Sequence, residues 1–361
     1  MVSNISPAES RFLRPYNQRH QRTPLRDLLP LDTPLAVLID PTNACNFKCV
    51  FCPTGNPDLL RSVGRPVGMM KLDLFGRIID GMKDFPRRVR VLHLYKDGEP
   101  LLHKSLPEMV ARAKSAGVAE SVETTTNGSL LTTEIAEALI EAGLDCIRIS
   151  VYGLEDDGYR KITQTHSDFE KIRRNVASIY EMKERKNSPL RVHCKITDAG
   201  LTDVEKEAFI RDFGPLSDSF NIDSLMGWSN TLDKDMTLGL QPATGMSGVD
   251  RINPDRRVCP EPFMKMSINY NGKVSVCCVD WGMDTIVGDV STQSLVEIWN
   301  GEALREFRLA HLRGARETIP ACLGCHYVSG ISADSDLDEP RYHLLGVYGD
   351  KWKNGAVGAI D

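Results

Sequence analysis

Ten cysteines punctuate this 361-residue chain, and seven of them fall into two groups whose spacing suits metal better than disulfides. Cys45, Cys49 and Cys52 stand at C-x3-C-x2-C within Cys45-Asn46-Phe47-Lys48-Cys49-Val50-Phe51-Cys52. Three thiolates are one short of a closed tetrahedral zinc site, and no fourth Cys or His follows at close spacing. A 4Fe-4S cube needs a ligand on each iron, so three thiolates leave one corner open to another molecule. The bland alternative is three buried core thiols. The second group is Cys259-x12-Gly272-x4-Cys277, joined some 45 positions later by Cys322-Leu323-Gly324-Cys325. Four such thiolates suit either a structural zinc or a second iron–sulfur cluster. Cys146 and Cys194 fall within strand-like runs and read as core thiols. Cys278 adjoins Cys277; neighbours along a strand point apart, so it is expected outside that ligand set.

The elements that must position these groups alternate from Leu35 onward. Strands are predicted over 35–40, 89–95, 121–126, 146–152, 191–197 and 220–225. Helical periods lie between them at 72–82, 106–116, 133–142, 169–183 and 203–212. Six βα units in one run give an α/β fold, a partial (β/α)6 TIM-like barrel with its site at the C-terminal strand ends. Along the strands, Ile147, Ile149 and Val151 share one face while Arg148, Ser150 and Tyr152 share the other. Val192, Cys194 and Ile196 likewise oppose His193 and Lys195. His93 with Tyr95, Glu123 with Thr125 and Asn127, and Asn221 with Asp223 extend the polar face into a lumen fit for a polar ligand. A small second domain then combines a hairpin around Asn271-Gly272, strands at 263–270 and 273–279, and a helix over 295–312. The expected division is an N-terminal arm at 1–34, a core at 35–226, a linker at 227–255, the second domain at 256–330 and a tail at 331–361.

Composition is that of an ordinary globular protein, 41% hydrophobic and 26% charged. A net charge of −5 provides no field to recruit nucleic acid or an anionic membrane. No apolar run approaches the roughly 20 residues that span a bilayer, and the Arg- and Pro-rich first 34 residues hold no signal-peptide core. They read as a wrapping arm or a basic lip over the substrate. The expected compartment is a reducing cytoplasm. No chemistry is assigned to the last 30 or so residues, which carry Tyr342, Tyr348 and Trp352.

The octet at 45–52, directly after a predicted strand, resembles the cluster loop of radical S-adenosyl-L-methionine (SAM) enzymes. Asp97-Gly98-Glu99-Pro100 resembles that family's G-G-E-P motif, with Asp97 replacing the first glycine. The resemblance implies SAM chelated by the open iron. It further implies Gly98 and Glu99 at its amino group, Phe51 near the adenine and Ser150 at the ribose, with Lys195 facing the methionyl carboxylate. The C-x12-G-x4-C hairpin and the Cys-x-x-Cys are similar to the auxiliary-cluster modules called SPASM and twitch. No cysteine follows Cys325, which points to the shorter twitch form seen in 2-deoxy-scyllo-inosamine dehydrogenases. One auxiliary 4Fe-4S cluster is then implied, held by Cys259, Cys277, Cys322 and Cys325 with no iron open. Its implied role is electron transfer, or a structural one.

The function so implied is an oxidoreductase. It would use a 5′-deoxyadenosyl radical to take hydrogen from a sugar- or aminocyclitol-like small molecule, dehydrogenating an alcohol carbon. A flavodoxin or ferredoxin would be the reductant. Alternatives are epimerisation with Cys278 as hydrogen donor, modification of a ribosomal peptide, and a non-catalytic iron–sulfur or zinc module. Cys278 reads equally as a buried inert thiol, and Asp280 is a candidate base.

Overall fold

A computed structural model describes residues 23–231, 234–248 and 250–349. Six strands run in parallel: β1 (Ala36–Ile39), β2 (Val89–His93), β3 (Ala119–Thr126), β4 (Cys146–Val151), β5 (Arg191–Asp198) and β6 (Ser219–Ser224). The crossovers carry α1 (Pro57–Val63), α2 (Leu72–Met82), α3 (Leu106–Ala116), α4 (Thr133–Glu141), α5 (Asp156–Thr163), α6 (Phe169–Arg185) and α7 (Asp203–Phe213). Beyond them lie α8 (Glu261–Met264), β7 (Lys265–Ile268), β8 (Lys273–Ser275), β9 (Ile286–Asp289), α9 (Leu295–Trp299), α10 (Glu302–Leu312) and α11 (Arg341–Gly349).

All nine strands form one sheet, ordered β6-β5-β4-β3-β2-β1-β7-β8-β9. The first six make the partial barrel, and its apolar face packs on the crossover helices. Val37, Ile39, Leu92, Val122, Ile147, Ile149, Val192 and Ile196 are all buried there. In α2, Phe75, Ile78, Ile79 and Met82 recur at helical spacing and turn inward. The second unit does not stand apart, because β7 pairs in parallel with β1 from Ala36↔Lys265 to Ile39↔Ile268.

Several elements differ from expectation. The hairpin strands shorten to Lys265–Ile268 and Lys273–Ser275, with Gly272 at φ +86° making the Asn-Gly turn. β9 extends the pair to three strands. The single helix expected over 295–312 breaks at Asn300-Gly301, where a Cβ on Gly301 would stand 2.7 Å from the Glu297 carbonyl oxygen. Helix α1 was not expected. The Asn56 side chain accepts from the N–H groups of Asp58 and Leu59, Pro57 opens the helix and Gly64 closes it at φ +60°. The linker over 227–255 has neither helix nor strand among its described residues, though it is anchored where the Trp228 indole donates to the Phe51 carbonyl, 2.9 Å. Most of the N-terminal arm, and Trp352, lie outside the described residues.

Candidate functional site

β1 delivers the chain into the loop of Cys45, Cys49 and Cys52 at the C-terminal end of the barrel. Two ladders hold that loop. The N–H groups of Lys48 and Val50 donate to the Thr163 and Ile162 carbonyls, each at 2.9 Å, and the Glu99 N–H donates to the Ala44 carbonyl, 2.8 Å. Gly98 lies flat against the loop's root. A Cβ there would stand 2.2 Å from the Thr42 carbonyl oxygen and 2.3 Å from that of Ala44. Gly55 does the same behind Cys49, with a Cβ meeting Cys49 backbone at 2.8 Å. Phe51 stacks on Tyr152 with centroids 6.2 Å apart, and Phe47 meets the same ring edge-on at 5.7 Å. The three thiols lie near enough for charge on Cys52 to act on both Cys45 and Cys49. Burial pushes the Cys49 and Cys52 thiols up, so without metal they stay protonated; coordination to iron would ionise them.

Glu99 is buried beneath this loop. Its carboxylate accepts from Thr126 Oγ1 at 2.6 Å, Asn127 N–H at 2.7 Å and Leu101 N–H at 3.0 Å. Burial raises its pKa while those donors oppose the rise. Asn127 in turn donates to Asn46 Oδ1, 2.8 Å, so the cluster loop is tied through Glu99 and Asn127 to the end of β3. Asp97 pairs with Lys96 at 2.5 Å and with Arg65 at 3.4 Å. Asp40 sits in the same buried group, beside Asp97, Lys96 and Arg65. Burial first, then the charge of Asp97, lifts its pKa to about 7.

At the second site Cys259, Cys277, Cys322 and Cys325 line one cavity together with His311 and Arg316. Among the described residues no three His, Cys, Asp or Glu side chains converge closely enough for one metal ion. A zinc at 2.3 Å from four sulfurs would draw them to about 3.8 Å from one another. Four thiols lining one cavity supply the ligands that a 4Fe-4S cube requires. Burial, then the charge of Cys325, pushes Cys322 up to about 12. The Cys259 N–H donates to His311 Nδ1 at 3.3 Å, while His311 Nε2 lies 3.5 Å from Cys322 Sγ. Arg316 donates to the carbonyls of Cys322 and Cys325 at 3.2 and 3.5 Å.

The polar side chains of the barrel strands pair with one another. The Arg148 guanidinium reaches the Tyr95 hydroxyl and lies 3.4 Å from His93. Arg191 pairs with Glu123, Lys195 with Asp223 at 2.9 Å, and Lys265 with Glu261 at 2.8 Å. Burial, followed by the charges of Arg148 and Lys265, holds His93 well below its usual range, so its ring is neutral here.

A family model described as the radical SAM superfamily matches residues 39–198, and one described as an iron–sulfur cluster-binding domain, SPASM, matches 259–326. The chain thus contains a radical SAM region over 39–198 and an iron–sulfur cluster-binding region over 259–326. Its relatives include the GTP 3′,8-cyclase of Chlorobaculum tepidum, 34% identical over 36% of this chain and 36% of that protein. The probable GTP 3′,8-cyclase of Sulfolobus acidocaldarius is 32% identical over 43% of this chain and 45% of that one. The chain thus spans less than half the length of these two curated relatives. Its fold is similar to BtrN in complex with AdoMet and 2-DOIA, with TM-score 0.51 and 18% identity over 84% of this chain and 96% of that one. It is also similar to Streptococcus suis SuiB bound to S-adenosylmethionine, with TM-score 0.58 and 15% identity over 85% and 74%. The radical SAM match implies a 4Fe-4S cluster and SAM, and the SPASM match further iron–sulfur ligation; the two thiol sets fit both. Among the described residues no helix is long and apolar enough to cross a membrane.

The remaining residues singled out from sequence lie on the barrel strands and in the second unit. Ser150 and Lys195 are register partners on β4 and β5, side by side on the lumen face. Asp280 is buried, its carboxylate accepting from the N–H groups of Asp284 and Thr285, and burial raises its pKa to about 6. The strand-alternation reading of Cys277 and Cys278 is corrected. β8 ends at Ser275, and both cysteines lie in the bend and turn beyond it. Cys278 donates to Glu261 Oε2, 3.5 Å. Sequence reading passed over Glu261, Lys265, His311 and Arg316. His311 and Phe307 read only as one apolar stripe of an amphipathic helix, and nothing local marks the stripe as facing thiols.

Proposed function

We propose that this chain is a radical SAM oxidoreductase that dehydrogenates an alcohol carbon of a polar small molecule, sugar- or aminocyclitol-like. The bound groups would supply the redox chemistry, SAM furnishing the radical that abstracts hydrogen and the auxiliary cluster a one-electron acceptor. The observation that carries the reading is the set of four protein thiols around the second cavity. With every corner of that cluster held by protein, substrate has no iron to bind and is left to the side chains of the lumen. Those are hydrogen-bonding groups on adjacent strands: Tyr95, Arg148, Ser150, His193, Lys195 and Asn221. They suit a ligand that presents hydroxyl or amino groups on several sides. Gly98 and Glu99 would support the SAM amino group from the loop they brace, Phe51 and Tyr152 would flank the adenine, and Ser150 the ribose. Flavodoxin or ferredoxin would deliver the reducing electron.

Anaerobic reconstitution with SAM, dithionite and a panel of aminocyclitols and nucleotide-linked sugars tests the proposal. It predicts one ketone per 5′-deoxyadenosine, with deuterium from the reacting carbon carried into the deoxyadenosine. A substrate consumed with no net oxidation, and solvent deuterium at the reacting carbon, would replace dehydrogenation by epimerisation. The names of the curated relatives favour a second reading, chemistry on GTP. GTP belongs in the same panel, and its conversion to a cyclised nucleotide would displace the sugar reading. A precursor peptide is the third arm, since another SuiB structure is bound to precursor peptide SuiA.

A further inference from the structure

We propose that His311 raises the reduction potential of the auxiliary cluster by donating a hydrogen bond from Nε2 to the Cys322 thiolate. The inference rests on the reading of Cys259, Cys277, Cys322 and Cys325 as ligands. It deepens the electron-accepting role given to that cluster above. The argument begins with a proton count. An imidazole with one proton carries it on one nitrogen only. The Cys259 backbone N–H points at Nδ1 from 3.3 Å, and a second proton there would set two donors against each other. The proton therefore belongs on Nε2, which stands 3.5 Å from Cys322 Sγ. The ring has no room to reorient: His311 is 1% exposed, and the Phe307 ring lies against it at 4.7 Å. One side chain thus bridges two ligands that lie far apart in sequence, through the backbone of one and the sulfur of the other.

Donors at a cluster's sulfurs stabilise the added electron and so raise its potential. Arg316, bonded to the carbonyls of Cys322 and Cys325, places a positive charge on the same side. Both favour acceptance of an electron from a substrate radical.

The test is an EPR-monitored redox titration of the reconstituted holoenzyme, with the core signal identified by its response to SAM. It is run without substrate, so failure of the dehydrogenase reading leaves the result intact. His311→Leu removes both nitrogens, whereas His311→Gln keeps a donor at the ε position. The expected outcome is a fall of the auxiliary potential in His311→Leu by about 59 mV or more, tenfold in the one-electron equilibrium, with His311→Gln near wild type. Wild-type protein labelled with 15N-histidine should show a weak nitrogen coupling to the reduced auxiliary cluster. An unchanged potential in His311→Leu of full iron content overturns the proposal, as does absence of that coupling. Should His311→Leu fail to take up the cluster, the nitrogen coupling decides alone: its presence supports the proposal and its absence overturns it.

Discussion

Substituting Gly98 by Ala probes how the second strand's end holds the cluster loop. The new methyl would sit 2.2 and 2.3 Å from two carbonyl oxygens, Thr42 and Ala44, and 2.9 Å from the Asn43 carbonyl carbon. Ordinary contact needs more than 3 Å, so the overlap is roughly 1 Å at two atoms together. Neither is the far end of a flexible side chain; both are backbone one to three residues before Cys45. Relief means pushing that segment outward, and this breaks the 2.8 Å bond from Glu99 N–H to the Ala44 carbonyl. Overpacking of this kind costs about 1–3 kcal/mol, and the lost hydrogen bond about 1 kcal/mol more. The Cys45 thiol moves with the segment, so the core cluster should be lost while the auxiliary one persists. Iron after anaerobic reconstitution is expected to fall from about eight to about four per chain, and 5′-deoxyadenosine formation to background. Gly76→Ala is the control: it lies in α2, where the nearest atom is an Arg112 nitrogen at 3.6 Å, and helix propensity should make it neutral or stabilising by about 0.5–1 kcal/mol. A Gly98→Ala protein with full iron and wild-type SAM cleavage would refute the bracing argument.

Three further outcomes are expected. Cys278→Ala should retain dehydrogenation, with no solvent deuterium in the product by mass spectrometry; loss of turnover in the variant, joined to solvent label in the wild-type product, would make this thiol the hydrogen donor. Asp40→Asn should flatten the pH dependence of stability. A carboxyl held at about 7 in the fold against 3.8 unfolded keeps its proton in the native state alone between those values. Wild-type stability should therefore fall as pH rises from about 4 to 7, by at most about 4 kcal/mol; melts of metal-free protein at pH 5 and 8 check this, and equal drops in both proteins would contradict it. Trp228→Phe removes the indole bond to the Phe51 carbonyl, and denaturant titration should register about 1 kcal/mol.

Periodicity marked out the barrel well where side chains alternate cleanly. The bounds of α2 and α3 coincide with the apolar periods at 72–82 and 106–116, because Phe75, Ile79, Leu106 and Val110 bury one continuous stripe. Elements set by capping or by distant partners were not legible. α1 depends on the Asn56 cap and on Gly64 at positive φ, and β9 exists only because β8 offers an edge to pair with. At the site the seven cysteines stood out by spacing. The carboxylate of Glu99, by contrast, turns to the end of β3, where Thr126 and Asn127 donate to it, and to its own turn, where Leu101 does. Buried groups such as Asp40, Lys96 and Arg65 have no sequence signature, since they meet only when β1, β2 and the segment after α1 close around Asp97.

The strand that leads into the core thiols is hemmed on both sides, by β2 and by β7, and all four of its residues are buried. Cutting the chain at the linker would strip away β7 and leave Ala36–Ile39 as a bare apolar rim, an open template for aggregation. Dissecting the two redox centres is therefore a task for point substitution at their thiols, since neither half can be lifted out whole.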